Sequence, residues 1–171
     1  LYWNTTGSYN TAVGDNSLYS NETGAANIAI GYQSLYSNTN GTISGAGTGF
    51  LVTDYVSGSL AIGYQAMRSS TTGTYNTAIG HWALYNNTTG NYNTVIGNSA
   101  GQAITSGYDN TAIGYQALRR ATTGYGNVAI GSQALIQMTT GTNNIAVGNS
   151  ALKQSNGCLL YTSDAADDTP C

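Results

Sequence analysis

Eight glycines of this chain recur at a 17-residue step, in two runs. Gly14 and Gly31 are one period apart, and Gly63, Gly80, Gly97, Gly114, Gly131 and Gly148 follow in step. A second glycine column lies ten residues after each anchor: Gly24, Gly41, Gly73, Gly90, Gly107, Gly124 and Gly141. Two columns locked to one period imply a stack of near-identical units. The clearest unit covers residues 76–92, and its outline is N-T-A-I-G-x-x-A-L-x-x-x-T-T-G-x-Y.

The interval from Gly31 to Gly63 is 32 residues, or 17 plus 15. Stepping 17 from Gly31 reaches Thr48, and ten more reaches Gly58. This segment, with Gly45, Gly47 and Gly49, therefore reads as a degenerate rung that lacks its anchor and has lost two residues after Gly58. The chain opens in mid-unit, since Leu1 to Gly7 matches Leu84 to Gly90. The register fails where Cys158 replaces a second-column glycine. The expected organisation is a repeat array over 1–157, a fragment cut at both ends. Residues 158–171 read as an unrelated disordered or non-native tail. That tail holds both cysteines, Cys158 and Cys171, and Pro170, the only proline; a disulfide within it is the alternative.

In Asn-Thr-Ala-Ile-Gly, alternate residues face opposite sides of a strand. The most regular apolar column is Val13, Ile30, Ile62, Ile79, Ile96, Ile113, Ile130 and Val147, which we assign to the core. Thr11, Ile28, Leu60, Thr77, Thr94, Thr111, Val128 and Ile145 share its face, and β-branched residues of this kind suit strands. On the opposite face, Ala12, Ala29, Ala61, Ala78, Val95, Ala112, Ala129 and Ala146 are small enough for another backbone or subunit to approach. Ala83-Leu84, Ala117-Leu118 and Ala134-Leu135 mark a second strand or a corner of the coil. Glycines supply the bends that need φ > 0 or close approach. A unit this short has no room for two helices, and Thr-Thr-Gly breaks one.

The predicted fold is all-β: a parallel β-solenoid, or β-roll, of about nine coils. At roughly 4.8 Å per rung the rod is on the order of 40 Å long. Asn76, Asn93, Asn110, Asn127 and Asn144 are expected to stack as an amide ladder.

The N-T-A-I-G-x-x-A-L units resemble the S-V-A-I-G-x-x-A repeats of trimeric autotransporter adhesin heads, the YadA-like family. Similar arrays occur in phage tail-fibre-like proteins, often upstream of a self-cleaving chaperone domain. The resemblance spans about Leu1 to Asn156. It implies a left-handed roll, a homotrimer, and exposure on a bacterial cell surface or a virion tail fibre. This chain departs from the adhesin pattern in its longer repeat and its leading Asn.

Little in the sequence points to catalysis. His81 is the only histidine and has no carboxylate in its rung, so it reads as a turn residue. Asp54 and Asp109 are isolated acids. There is no nucleophile elbow, phosphate loop or calcium-binding nonapeptide repeat. We expect no enzyme, no cofactor and no metal. With 6% charged residues and a net charge of −3, the chain has no basic stripe for nucleic acid. No apolar run reaches membrane-spanning length.

A candidate contact strip lies five places after the anchors, with Tyr19, Tyr36, Arg68, Tyr85, Arg119 and Lys153 as its aromatic and cationic members. Arg68 and Tyr85 are adjacent in it and suited to a cation–π pair. The alternative is that these long side chains only cover the edge of the Leu column. Tyr32, Tyr64, Trp82 and Tyr115, close after the anchors, complete the strip. The expected function is a non-enzymatic adhesive or structural rod touching a host surface protein or glycan along one face. The alternatives are a tail-fibre shaft segment and, from a different class, an ice-binding solenoid using Thr ladders such as Thr88-Thr89.

Overall fold

The computed structural model describes residues 1–39 and 58–154. Their regular structure is eight strands of three residues each: β1 (Thr11–Val13), β2 (Ile28–Ile30), β3 (Leu60–Ile62), β4 (Thr77–Ile79), β5 (Thr94–Ile96), β6 (Thr111–Ile113), β7 (Val128–Ile130) and β8 (Ile145–Val147). All pair in parallel, in chain order, within one sheet. Each coil returns to place its strand beside the last, which makes a β-solenoid, as the period predicts.

The register is that of the repeat, residue for residue: Thr77 sits beside Thr94, Ala78 beside Val95 and Ile79 beside Ile96. The Thr77 N–H donates to the Asn93 carbonyl at 2.8 Å, and the Gly97 N–H donates to the Ile79 carbonyl at 2.8 Å. At each anchor, backbone lies on backbone. Gly80 has φ +138°, and a Cβ there would come 2.5 Å from the Gly97 carbonyl oxygen. An L side chain would meet both strained torsion and a clash.

Two sequence expectations need correction. The first concerns the degenerate rung. β2 pairs directly with β3, so Ile28 lies beside Leu60 and no strand stands between them. The sheet therefore has eight strands, not nine rungs. Gly58 does not continue the second glycine column. It stacks with Ala26 and Tyr75, and all three have positive φ. Gly41, Gly45, Gly47, Gly49, Thr48, Thr53 and Asp54 lie outside the described residues, as do Cys158, Pro170 and Cys171.

The second correction inverts the strand faces. Ala29, Ala61, Ala78, Val95, Ala112, Ala129 and Ala146 are fully buried. The column assigned to the core points outward: Val13 is 56% exposed, Ile30 37%, Ile96 36%, Ile130 37% and Val147 45%, while Ile62, Ile79 and Ile113 are half-buried. The reason is the narrow bore of the coil. Leu18, Leu35, Met67, Leu84, Leu118, Leu135 and Leu152 project inward from the opposite wall and fill it. Close packing then leaves room for only a methyl on the strand side.

The polar interior is a hydrogen-bonded amide ladder. Asn76 Oδ1 accepts from the Asn93 N–H at 2.9 Å and from Asn93 Nδ2 at 3.1 Å. Asn93 Nδ2 also donates to the Gly107 carbonyl at 2.9 Å. The pattern repeats through Asn110, Asn127 and Asn144. From Asn76 to Asn127 each fully buried amide thus bonds to the rungs on both sides, while the Asn144 Oδ1 that ends the described ladder is buried without a partner.

Positive φ is not confined to glycine. Gln65, Trp82, Gln116 and Gln133 adopt it two places after the anchor, and Leu18, Leu84, Leu118 and Leu135 adopt it at four. Such torsions cost of order 1–3 kcal/mol each and persist only where surroundings fix them. Here the buried Leu side chains and the repeated bonds between rungs do so.

Candidate surface ladders

The stack converts the 17-residue spacing into ring stacking. Tyr2, Tyr19 and Tyr36 form one column, with centroids 5.2 and 5.1 Å apart and planes 9° and 1° from parallel. Arg68 continues it: its guanidinium carbon lies 5.5 Å from the Tyr36 ring centroid and 5.9 Å from that of Tyr85. The expected Arg68–Tyr85 pair is therefore one half of a sandwich. Arg68 Nη1 donates to the Tyr85 hydroxyl at 3.3 Å, and Nε donates to Gln33 Oε1 at 3.1 Å.

Further along this column the aromatics stop. Arg119 Nε donates to Gln102 Oε1 at 3.0 Å. Lys153 is half-buried in the last described rung. Tyr19, Tyr36, Arg68, Tyr85 and Arg119 are also half-buried, because their stems lie along the flank of the coil.

The column immediately after the anchors is more open. Tyr32, Tyr64 and His81 stack at 5.3 and 5.0 Å, with planes within 18° and 10° of parallel. Trp82 links the two columns. Its ring lies 4.4 Å from His81 and 6.4 Å from Tyr85, and its Nε1 donates to Gln65 Oε1 at 2.8 Å. Gln65 in turn donates to Gln33 at 2.9 Å. Tyr115 stands exposed two rungs beyond His81. Of the ten strip residues, six fall in one column and Tyr32, Tyr64 and Tyr115 in another, and Trp82, from the column next to Tyr32 and Tyr64, bridges the two.

Two stacked pairs were not singled out from the sequence: Tyr75 with Tyr92, and Tyr108 with Tyr125, at 5.3 and 4.7 Å. Their signal was present as the same 17-residue spacing, in the turn columns after Thr-Thr-Gly.

Among the described residues, no group of three or more His, Cys, Asp or Glu is placed to hold a metal ion. No helix among them is long and apolar enough to cross a membrane. A cavity of about 330 Å³ lies against Leu1, Tyr2, Asp15, Asn16, Ser17 and Tyr19, and the Ser17 hydroxyl donates to the Gly14 carbonyl at 3.0 Å. The Thr pairs lie in tight turns: the Thr71, Thr72 and Gly73 N–H groups all donate to the Thr88 carbonyl, at 3.0, 3.0 and 3.2 Å. Thr71 Oγ1 donates to the same oxygen at 2.9 Å. Comparison with protein-family models, with curated proteins and with solved structures finds no match.

Proposed function

We infer that the chain is a non-enzymatic structural and adhesive rod that self-associates through the outer face of its sheet. The observation that carries this reading is the outward column of Val13, Ile30, Ile96, Ile130 and Val147, reinforced by Ile28 and Ile145, each at least 36% exposed. An apolar stripe of this length along one face marks an interaction surface. Another copy of the chain carries the same stripe at the same spacing, so a repeated interface closes without a second sequence. A homotrimer is the assembly proposed, as the resemblance to adhesin heads suggests.

Such a rod holds a distal domain away from its attachment point and distributes weak contacts over many rungs, where avidity replaces a single tight site. A bacterial surface head is the location proposed, with a host protein or glycan as the partner. A virion tail-fibre shaft is the alternative. The test is the solution mass of the whole chain beside that of Ile96→Asp. A trimer that Ile96→Asp reduces to folded monomers supports the reading. A folded wild-type monomer overturns it.

A further inference from the structure

We propose that His81, Trp82, Asn98, Ser99, Tyr115 and Gln116 form a slot for one pyranose ring of a glycan. The open aromatic column reads Tyr32, Tyr64, His81, Asn98, Tyr115 from rung to rung. The column beside it reads Gln33, Gln65, Trp82, Ser99, Gln116. Both drop from a large ring to a short polar side chain at the same rung. Both rise again at the next. Neighbouring columns thus share one notch, walled by His81 and Trp82 on one side and by Tyr115 and Gln116 on the other.

The notch has a definite width. Tyr64 and His81 show that one rung separates ring centroids by 5.0 Å. Two rungs at about 4.8 Å each set the walls roughly 10 Å apart, centre to centre. A ring seated midway lies about 5 Å from each wall. Flat aromatic carbons make their best contact at about 3.5–4.0 Å, so a planar ligand would be loose on at least one side. A pyranose chair is thicker and suits the wider spacing. In the β-gluco configuration every ring substituent is equatorial, so both faces present C–H groups to the walls while the hydroxyls point to the rim and floor.

The floor is polar and already ordered. Ser99 Oγ donates to Asn98 Oδ1 at 2.9 Å, and Asn98 itself is exposed. The Asn98 amide offers donors to sugar hydroxyls. Trp82 is held by its bond to Gln65, which fixes one wall before any ligand arrives. No comparable notch follows Tyr36, because Arg68 fills the next position between Tyr36 and Tyr85.

The slot is built from residues other than those of the apolar stripe, so sugar binding and self-association can be measured separately. Its test uses the full chain carrying Trp3→Phe, which leaves Trp82 as the only tryptophan. Trp82 fluorescence is followed against methyl β-glucopyranoside, its manno and galacto counterparts, and indole. The expected result is a saturable change with the glucoside and weaker binding of both epimers, whose axial hydroxyl spoils one face. Asn98→Tyr, which continues the ladder through the notch, should abolish it. Tyr115→Ala should weaken binding about tenfold, while Tyr125→Ala should leave it unchanged. Circular dichroism of each variant reports its fold independently. No saturable change with any sugar, tighter binding of indole, or undiminished binding by folded Asn98→Tyr would each overturn the proposal. Solution mass is a separate readout, so a monomer that binds sugar refutes the assembly and not the slot.

Discussion

Val95 occupies the space that a side chain on Gly101 would need. A Cβ on Gly101 would lie 3.2 Å from Val95 Cγ2 and 3.1 Å from Ile104 Cδ1. Everywhere else in the described stack the strand position is Ala and the facing position is Leu or Met. In this rung both have changed, in opposite directions: Val95 is larger than Ala, Gly101 has no side chain, and Ile104 Cδ1 reaches into the same space. Gly101→Leu alone should overpack the bore and cost about 1–3 kcal/mol. Adding Val95→Ala should recover most of that loss. Urea unfolding of the four combinations should give a coupling energy above about 0.5 kcal/mol, and simple additivity would refute the compensation.

The two amide columns should respond differently to truncation. Asn76 Oδ1 serves two donors of Asn93, and its own Nδ2 donates to the Gly90 carbonyl at 2.7 Å. Asn87 Nδ2 reaches the same carbonyl at 3.1 Å, but its Oδ1 is buried with no partner. The next residue of that column is Ile104, which has no donor to offer. Asn76→Leu should cost about 2–4 kcal/mol, because it strands two buried donors at about 1–3 kcal/mol each. Asn87→Leu should cost less than about 1 kcal/mol. Equal loss of chemical stability in the two variants would contradict this ordering.

A charge on either side of one strand distinguishes inside from outside. Ala112→Asp places a carboxylate among the buried apolar side chains of the bore and should unfold the array around β6. Ile113→Asp points out beside half-buried neighbours and should leave the strand signal in circular dichroism intact while disturbing association. The sequence expectation had these outcomes reversed, so the pair of spectra decides between the two assignments.

Arg68→Met keeps the stem of the side chain and removes the cation from between Tyr36 and Tyr85. The expected loss is about 0.5–1 kcal/mol per exposed cation–π contact. It should appear as a small drop in melting temperature with unchanged solution mass. No measurable change would show that the stem alone matters.

The stacking, its parallel sense and the columns of like residues were legible in the sequence because each follows from period alone. The sign of the strand was not. Ile79 and Ala78 alternate in either assignment, and hydrophobicity favours Ile79 as core. Only the size of the opposing wall decides it, and Leu84 gives no sign in sequence of how far it reaches across the bore. The same blindness hid the left-handed torsions of Leu84 and Trp82, which tertiary packing imposes on residues that would not choose them. Ring stacking at Tyr32, Tyr64 and His81 could be read from spacing once strands were placed. The notch at Asn98 needs the actual rung distance.

β2 and β3 pair in perfect register although Ile28 and Leu60 are 32 residues apart, and every other neighbouring pair of strands is 17 apart. Alignment is thus enforced by the ladders on either side of the junction and not by the length of the connection. Fifteen residues more than one period leave every pairing between these two strands in place. The scaffold on either side of that interval counts by columns and not by chain length: Asn27 and Ser59, 32 residues apart, are as much neighbours as Asn76 and Asn93, 17 apart.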